Sequence, residues 1–127
     1  MKPSATHLAL AIKAANDAYL FRFKHGAIIY DKRGTIVSVG FNKRRSSTVL
    51  ARYGYYNCWH HAESDAIIKA LRGGADLRGC SLLVVRIGKN KLCNSRPCAH
   101  CMALILDVGI DDVWFSDCDG EIQEMML

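Results

Sequence analysis

The chain has 127 residues, half of them hydrophobic and 23% charged, which suits one soluble globular domain over residues 1–127 and leaves no room for two. It holds no run of about 18 apolar residues, and Met1-Lys2-Pro3-Ser4 lacks the apolar core of a signal peptide, so neither a membrane span nor export is expected. Seventeen basic against twelve acidic side chains leave a net charge of +5; that excess suits an anionic partner such as a nucleotide or nucleic acid, or simply a solvated basic surface.

Ser4 or Thr6 can cap a first helix, whose residues Leu8, Ala11, Ile12, Ala15, Ala18 and Tyr19 recur at helical spacing and predict an apolar face packed on a sheet. Gly26 to Tyr30 reads as a strand, Asp31-Lys32-Arg33-Gly34 as a turn and Thr35 to Phe41 as the partner strand, together an antiparallel hairpin. Residues 42–60 are the least regular part. Lys43, Arg44, Arg45 and Arg52 stand there together with Tyr53, Tyr55, Tyr56 and Trp59. Cations bind phosphates and aromatic faces stack bases, so this segment reads either as a binding loop or as a solvated loop whose aromatics fold over the core.

Ala62, Ala66, Ile67, Ala70 and Leu71 form a second helical stripe that Gly73-Gly74 ends. Ser81 to Ile87 is a nearly continuous apolar run, as in a central strand covered on both faces. Gly88 to Lys91 turns, Pro97 suits a first helical position, and Ala99 to Val108 predicts a third helix stopped by Gly109. Asp112 to Phe115 is a short strand, and Ser116 to Leu127 reads as a polar tail without a period. The order α-β-β-α-β-α-β implies crossovers between parallel central strands with the hairpin at one side.

Two short stretches carry the chemistry: His61-Ala62-Glu63 and Pro97-Cys98-Ala99-His100-Cys101. One imidazole and two thiols make three metal ligands, and three protein ligands leave the fourth position of a tetrahedral zinc open, the pattern of a catalytic site. Glu63 stands two positions from His61, off its helix face, so it is better placed as a proton carrier than as a second ligand. Both motif halves fall at helix starts, where the dipole favours thiolates at Cys98 and Cys101. Alone, the C-x-x-C pair also fits a redox pair or half of a structural zinc site. Six cysteines are present; without an export signal Cys58, Cys80, Cys93 and Cys118 are expected as reduced thiols in a cytoplasmic protein, Cys80 as core packing, and Cys58 or Cys93 as rival ligands.

With these residues in this order, the chain resembles the cytidine and deoxycytidylate deaminase superfamily, most closely in motif the deoxycytidylate deaminases. The resemblance covers nearly the whole chain. It implies an α/β fold, a three-layer α/β/α sandwich around a mixed, mostly parallel sheet. It implies zinc on His61, Cys98 and Cys101, with Glu63 as the proton shuttle. Gly40-Phe41-Asn42 resembles a segment whose Asn contacts the sugar, which carries that role to Asn42. The Ala62 backbone N–H would meet the base oxygen, and the Arg96 carbonyl would accept from the exocyclic amine. The short stretch after Phe115 leaves little room for the extra helix and fifth strand of many relatives.

The implied reaction is hydrolytic deamination of a cytosine nucleotide, deoxycytidylate in type, with one or more of Lys43, Arg44, Arg45 and Arg52 on the phosphate. A deaminase acting on cytosine or adenosine in single-stranded DNA or RNA is the alternative, and a non-catalytic structural zinc domain the second. Glu63 argues against the last, since a structural site has no use for it. No membrane partner is expected, and self-association is.

Overall fold

The computed structural model describes residues 1–18, 22–44, 52–53 and 59–127. In chain order these form α1 (Ala5–Asn16), β1 (Lys24–Tyr30), β2 (Ile36–Phe41), β3 (Lys43–Arg44), β4 (Trp59–His60), α2 (Ala62–Arg72), β5 (Ser81–Ile87), β6 (Leu92–Cys93), α3 (Ala99–Asp107), β7 (Asp112–Ser116) and β8 (Ile122–Met125). The main sheet runs β2-β1-β5-β7-β8, with β6 paired to the end of β5.

Strand periodicity builds the three layers. Ile28, Tyr30, Leu83 and Val85 point to one face and pack with Ala11 and Ala15 of α1. Their neighbours Ala27, Ile29, Leu82 and Val84 point to the other, where Ala62, Ala66 and Ile67 of α2 and Leu104 and Ile105 of α3 cover them. Both central strands are therefore apolar at successive positions. The α/β/α sandwich is as expected, but the strand directions differ. Among the described residues only β5 and β7 are parallel. β1 pairs antiparallel with β2 and with β5; the hairpin lies at one side of the sheet as expected, with β2 at the edge.

The first helix is capped by Ser4, whose Oγ accepts from the His7 N–H while the Ser4 N–H donates to His7 Nδ1. Ala18, beyond the helix, is buried, and Tyr19 lies outside the described residues. Gly73 and Gly74 close α2, Gly74 with a φ of 79°, and Gly109 follows α3. Pro97 is not a first helical residue: Cys98 takes the extended N-cap conformation (φ −74°, ψ 170°) and Ala99 starts the helix. The proline instead stiffens the approach to that cap.

The stretch after Phe115 is not a structureless tail. The turn at Asp117–Gly120 returns the chain as β8, antiparallel to β7, and supplies the fifth strand. In the irregular segment, Lys43 pairs with His60 and Arg44 with Trp59, so the ends of the 45–58 stretch are tied together. Tyr53 packs against the larger core, and its hydroxyl donates to Asp107 Oδ2 at 2.6 Å; for this aromatic the core-covering reading holds. Tyr55 and Tyr56 lie outside the described residues. Among the described residues no helix is long and apolar enough to cross a membrane.

Candidate active site

The starts of α2 and α3 meet over the same end of the sheet. His61 is the N-cap of α2 and Cys98 the N-cap of α3, with Cys101 in that helix's first turn. His61 Nδ1 lies 3.5 Å from Cys98 Sγ and 3.3 Å from Cys101 Sγ. Metal–nitrogen bonds of ~2.0 Å and metal–sulfur bonds of ~2.3 Å at tetrahedral angles place N and S ~3.5 Å apart, so this donor set fits zinc. Among the described residues it is the one cluster of three or more His, Cys, Asp or Glu with ligand atoms this close. Cys93 is outside it, its thiol turned to the Lys91 carbonyl. Cys80 is buried as core packing, and Cys58 lies outside the described residues.

Local electrostatics favour the ligand form of Cys98, whose hydrogen bond in turn raises the His61 imidazole against the effect of burial. A hydrogen bond from the Cys101 thiol, with the His61 ring adding its own against the cost of burial, holds the Cys98 thiol at about 3. Cys98 is then a thiolate at neutral pH, which is the form that binds metal. Glu63 is buried, and that burial raises its carboxyl above the ordinary range, partly offset by a backbone hydrogen bond and His61. A raised carboxyl holds and releases protons closer to neutrality.

These groups open on a cavity of about 450 Å³, lined among the described residues by Arg22, Phe23, His25, Asn42, His60, His61, Ala62, Glu63, Ser95, Arg96 and Cys98. Its size is that of a small-molecule pocket. Asn42 Oδ1 accepts from the His25 N–H at 2.9 Å and its Nδ2 donates to the Phe23 carbonyl at 3.1 Å. Among the described residues these bonds leave one amide hydrogen and one lone pair for a ligand. Ala62 is the first residue of α2, so its N–H belongs to the helix-start donors that have no acceptor within the helix.

Gly40 makes this arrangement possible. A Cβ there would lie 2.5 Å from both the Ala62 carbonyl oxygen and the Ala66 nitrogen. Only glycine lets β2 lie directly on the first turns of α2, which brings Asn42 to the cavity.

Of the cations named from the loop, two have described side chains, Lys43 and Arg52. Lys43 Nζ sits 3.0 Å from Asp65 Oδ2, and neither it nor the exposed Arg52 lines the cavity. Arg44 is placed only by its backbone, in β3, and Arg45 lies outside the described residues. Arg22 and Arg96 line the cavity instead. Arg22, Phe23 and His25, which sequence reasoning missed, flank the first residue of β1. The available signal was topological: Lys24 pairs with Ile87, so that end of β1 meets the end of β5, next to the segment that leads to Cys98.

A three-ligand His-Cys-Cys site with a buried carboxylate, at paired helix starts of this sandwich, is that of a zinc-dependent hydrolytic deaminase. The chain belongs to the family described as the cytidine and deoxycytidylate deaminase zinc-binding region, whose pattern matches residues 1–117. Among solved structures it is similar to the dCMP deaminase of cyanophage S-TIM5, at 23% identity and TM-score 0.63 over 92% of this chain and 86% of that one. It is also similar to a tRNA deaminase that edits adenosine to inosine at the wobble position, at 21% identity and TM-score 0.58 over 90% of this chain and 76% of that one. A third is the Thermotoga maritima diaminohydroxyphosphoribosylaminopyrimidine deaminase/5-amino-6-(5-phosphoribosylamino)uracil reductase, at 24% identity and TM-score 0.59. There the match covers 87% of this chain but only 28% of that one. At these identities the likeness is one of fold. No curated protein matches the chain in sequence.

Proposed function

We propose that the chain deaminates a cytosine mononucleotide, deoxycytidylate in type, to the uracil nucleotide. The observation that carries this reading is the charge of the cavity rim. Arg22 and Arg96 both line it, and among the described residues no carboxylate pairs with either. Two arginines without an acidic partner beside a catalytic cavity suit a phosphate monoester.

His61, Cys98 and Cys101 would hold the zinc. Bound there, zinc supplies a water acidified toward pKa ~7, a nucleophile available at neutral pH. Glu63 takes a proton from the water and passes it to the ring nitrogen beside the amino-bearing carbon, which makes that carbon more electrophilic. Glu63 then delivers a proton to the departing amine, so that water and the cytosine nucleotide become ammonia and the uracil nucleotide. The Ala62 N–H holds the base oxygen, the Arg96 carbonyl accepts from the exocyclic amine, and Asn42 meets the sugar hydroxyl.

One observation favours a second reading. Phe23 is 47% exposed at the cavity, with the Arg86 guanidinium 4.0 Å and the Arg22 guanidinium 5.6 Å from its ring centre. An aromatic face flanked by cations is a stacking platform for single-stranded nucleic acid. The test is a side-by-side assay of cytidine, deoxycytidine, their monophosphates and single-stranded oligonucleotides containing cytosine or adenosine, at two salt concentrations. Preference for a monophosphate supports the proposal. Oligonucleotide turnover far above the mononucleotides, falling steeply with salt, would replace it with the polynucleotide enzyme. Glu63→Ala should lower turnover by at least about 10²–10⁴-fold with zinc retained; zinc loss would make Glu63 structural instead.

The proposed enzyme is cytoplasmic and self-associates. Leu71 and Leu106, on the outer helix layer, are 41% and 56% exposed, as an interface between copies would use. Only monomer by light scattering at micromolar concentration would count against this.

A further inference from the structure

The carboxylate of Asp65 lies in α2, one helical turn after His61, and is almost fully buried. Its partners converge from four directions. Lys43 Nζ is 3.0 Å and Lys69 Nζ 3.1 Å from Oδ2. The Phe41 backbone N–H donates to Oδ2 at 3.2 Å. His60 Nδ1 stands 3.7 Å from Oδ1. Phe41 ends β2, Lys43 opens β3, and His60 pairs with Lys43 across the short ladder. One carboxylate therefore grips both chain neighbours of Asn42 and the residue before His61.

Among the described residues the side chain of Asn42 makes no comparable link to α2. Its amide is bonded to the backbone of His25, in β1, and of Phe23, just before it. Phe41 and Lys43 are held to the helix, and Asn42 is carried between them. The Lys43 and Lys69 ammoniums also lie 4.2 Å and 5.2 Å from the centre of the Phe41 ring, which closes the cluster over the same strand end. A buried carboxylate with four polar neighbours is costly to disturb, so it fixes geometry wherever its partners are attached.

We propose that Asp65 is a positioning residue for catalysis: with Lys43 it sets the distance between the Asn42 wall of the cavity and the helix start that carries His61 and Glu63. Lys43 is one of four cations that the sequence offers for the phosphate; the proposal gives it this scaffold role instead. The proposal rests on the reading that Asn42 meets the sugar, and it makes a demand that a phosphate contact would not. A misplaced Asn42 weakens every substrate that has a sugar, with or without a phosphate.

Asp65→Asn, Asp65→Ala and Lys43→Met are compared with the unaltered zinc enzyme. Asp65→Asn retains an acceptor for the Phe41 N–H and serves as the milder variant should Asp65→Ala fold poorly. The expected result is unchanged zinc content and a KM raised by roughly tenfold for Asp65→Ala, equally for deoxycytidine and its monophosphate, with kcat changed less. Lys43→Met should raise both KM values together, and Asp65→Asn should fall between. Amide hydrogen exchange at Phe41 and Asn42 should accelerate in Asp65→Ala while Ala27 to Ile29 of β1 stay protected. A rise confined to the monophosphate would return Lys43 to the phosphate. Unchanged KM in all variants, or unaltered exchange at Phe41 and Asn42, would overturn the proposal. If the unaltered enzyme turned over neither cytosine compound, the functional reading would fail separately, and the exchange measurement would still decide the role of Asp65.

Discussion

His61 Nδ1 and Cys101 Sγ lie 3.3 Å apart although 40 residues separate them in the chain. The contact exists because α2 and α3 begin over the same end of the sheet, each directing its first turn at the other. A metal bound there ties the two helices together, so its loss should be felt by the fold as well as by the site.

The purified protein should carry about one zinc per chain, and Cys101→Ser should lose most of it together with thermal stability. Elemental analysis beside a melting curve checks both. Full zinc retention in a Cys98→Ser plus Cys101→Ser variant would sink the assignment of the ligands.

Gly40→Ala tests the packing that brings Asn42 to the cavity. The new methyl would meet backbone of Ala62 and Ala66 at 2.5 Å, and neither can swing aside as a side chain would. Strand and helix must separate, at a cost of about 1–3 kcal/mol. Denaturant unfolding should show that loss, and the KM for nucleoside and nucleotide should rise with it. Wild-type stability would mean that β2 can leave the helix without penalty.

Much of this architecture was legible because apolar residues recur at the helix period in α1 and α2 and run almost unbroken through β1 and β5. What was not legible follows from features with weak local signatures. β8 is a half-exposed edge strand whose Gln123 and Glu124 face solvent, so nothing in its composition distinguishes it from a loop. The direction of β1 relative to β5 is settled by side-chain packing across the sheet and not by either strand's own pattern. In the site, the zinc set stood out because its residue types and spacing are chemically constrained. The Lys43–Asp65 pair could not be read from the sequence, because Asp65 is one polar residue among several on a helix until the fold brings the two within 3.0 Å.

His25 predicts a pH dependence of stability. Burial first, then the Arg86 guanidinium and His61, lower its imidazole from 6.5 to about 4. Between those values the unfolded chain binds a proton that the folded chain refuses. Stability therefore falls as pH drops from about 6.5 toward about 4, and this contribution levels off below that. His25→Gln, which cannot titrate, should flatten the slope of the denaturation midpoint between about pH 7 and about pH 5. The same slope in both proteins would mean that His25 titrates in its usual range when folded.

The rim arginines give the sharpest test of substrate class. Arg22 and Arg96 face one cavity from different parts of the chain, one before β1 and the other before α3. A charge-assisted contact to phosphate is worth about 1.5–3 kcal/mol, so Arg22→Gln or Arg96→Gln should raise the KM for a cytosine monophosphate by roughly 10–100-fold. The KM for the nucleoside should stay where it is, because the nucleoside has no phosphate to lose. Arg96 keeps its backbone carbonyl in this variant, so its contact with the exocyclic amine survives and kcat should change little. Phe23→Ala separates the two substrate readings: it should leave the mononucleotide almost unaffected, whereas a strand-binding enzyme would lose a stacking face worth about 1–3 kcal/mol. Steady-state kinetics of the three variants on nucleoside, monophosphate and oligonucleotide decide the matter. Equal losses on nucleoside and monophosphate would remove both arginines from the phosphate and leave the cavity without an anion site.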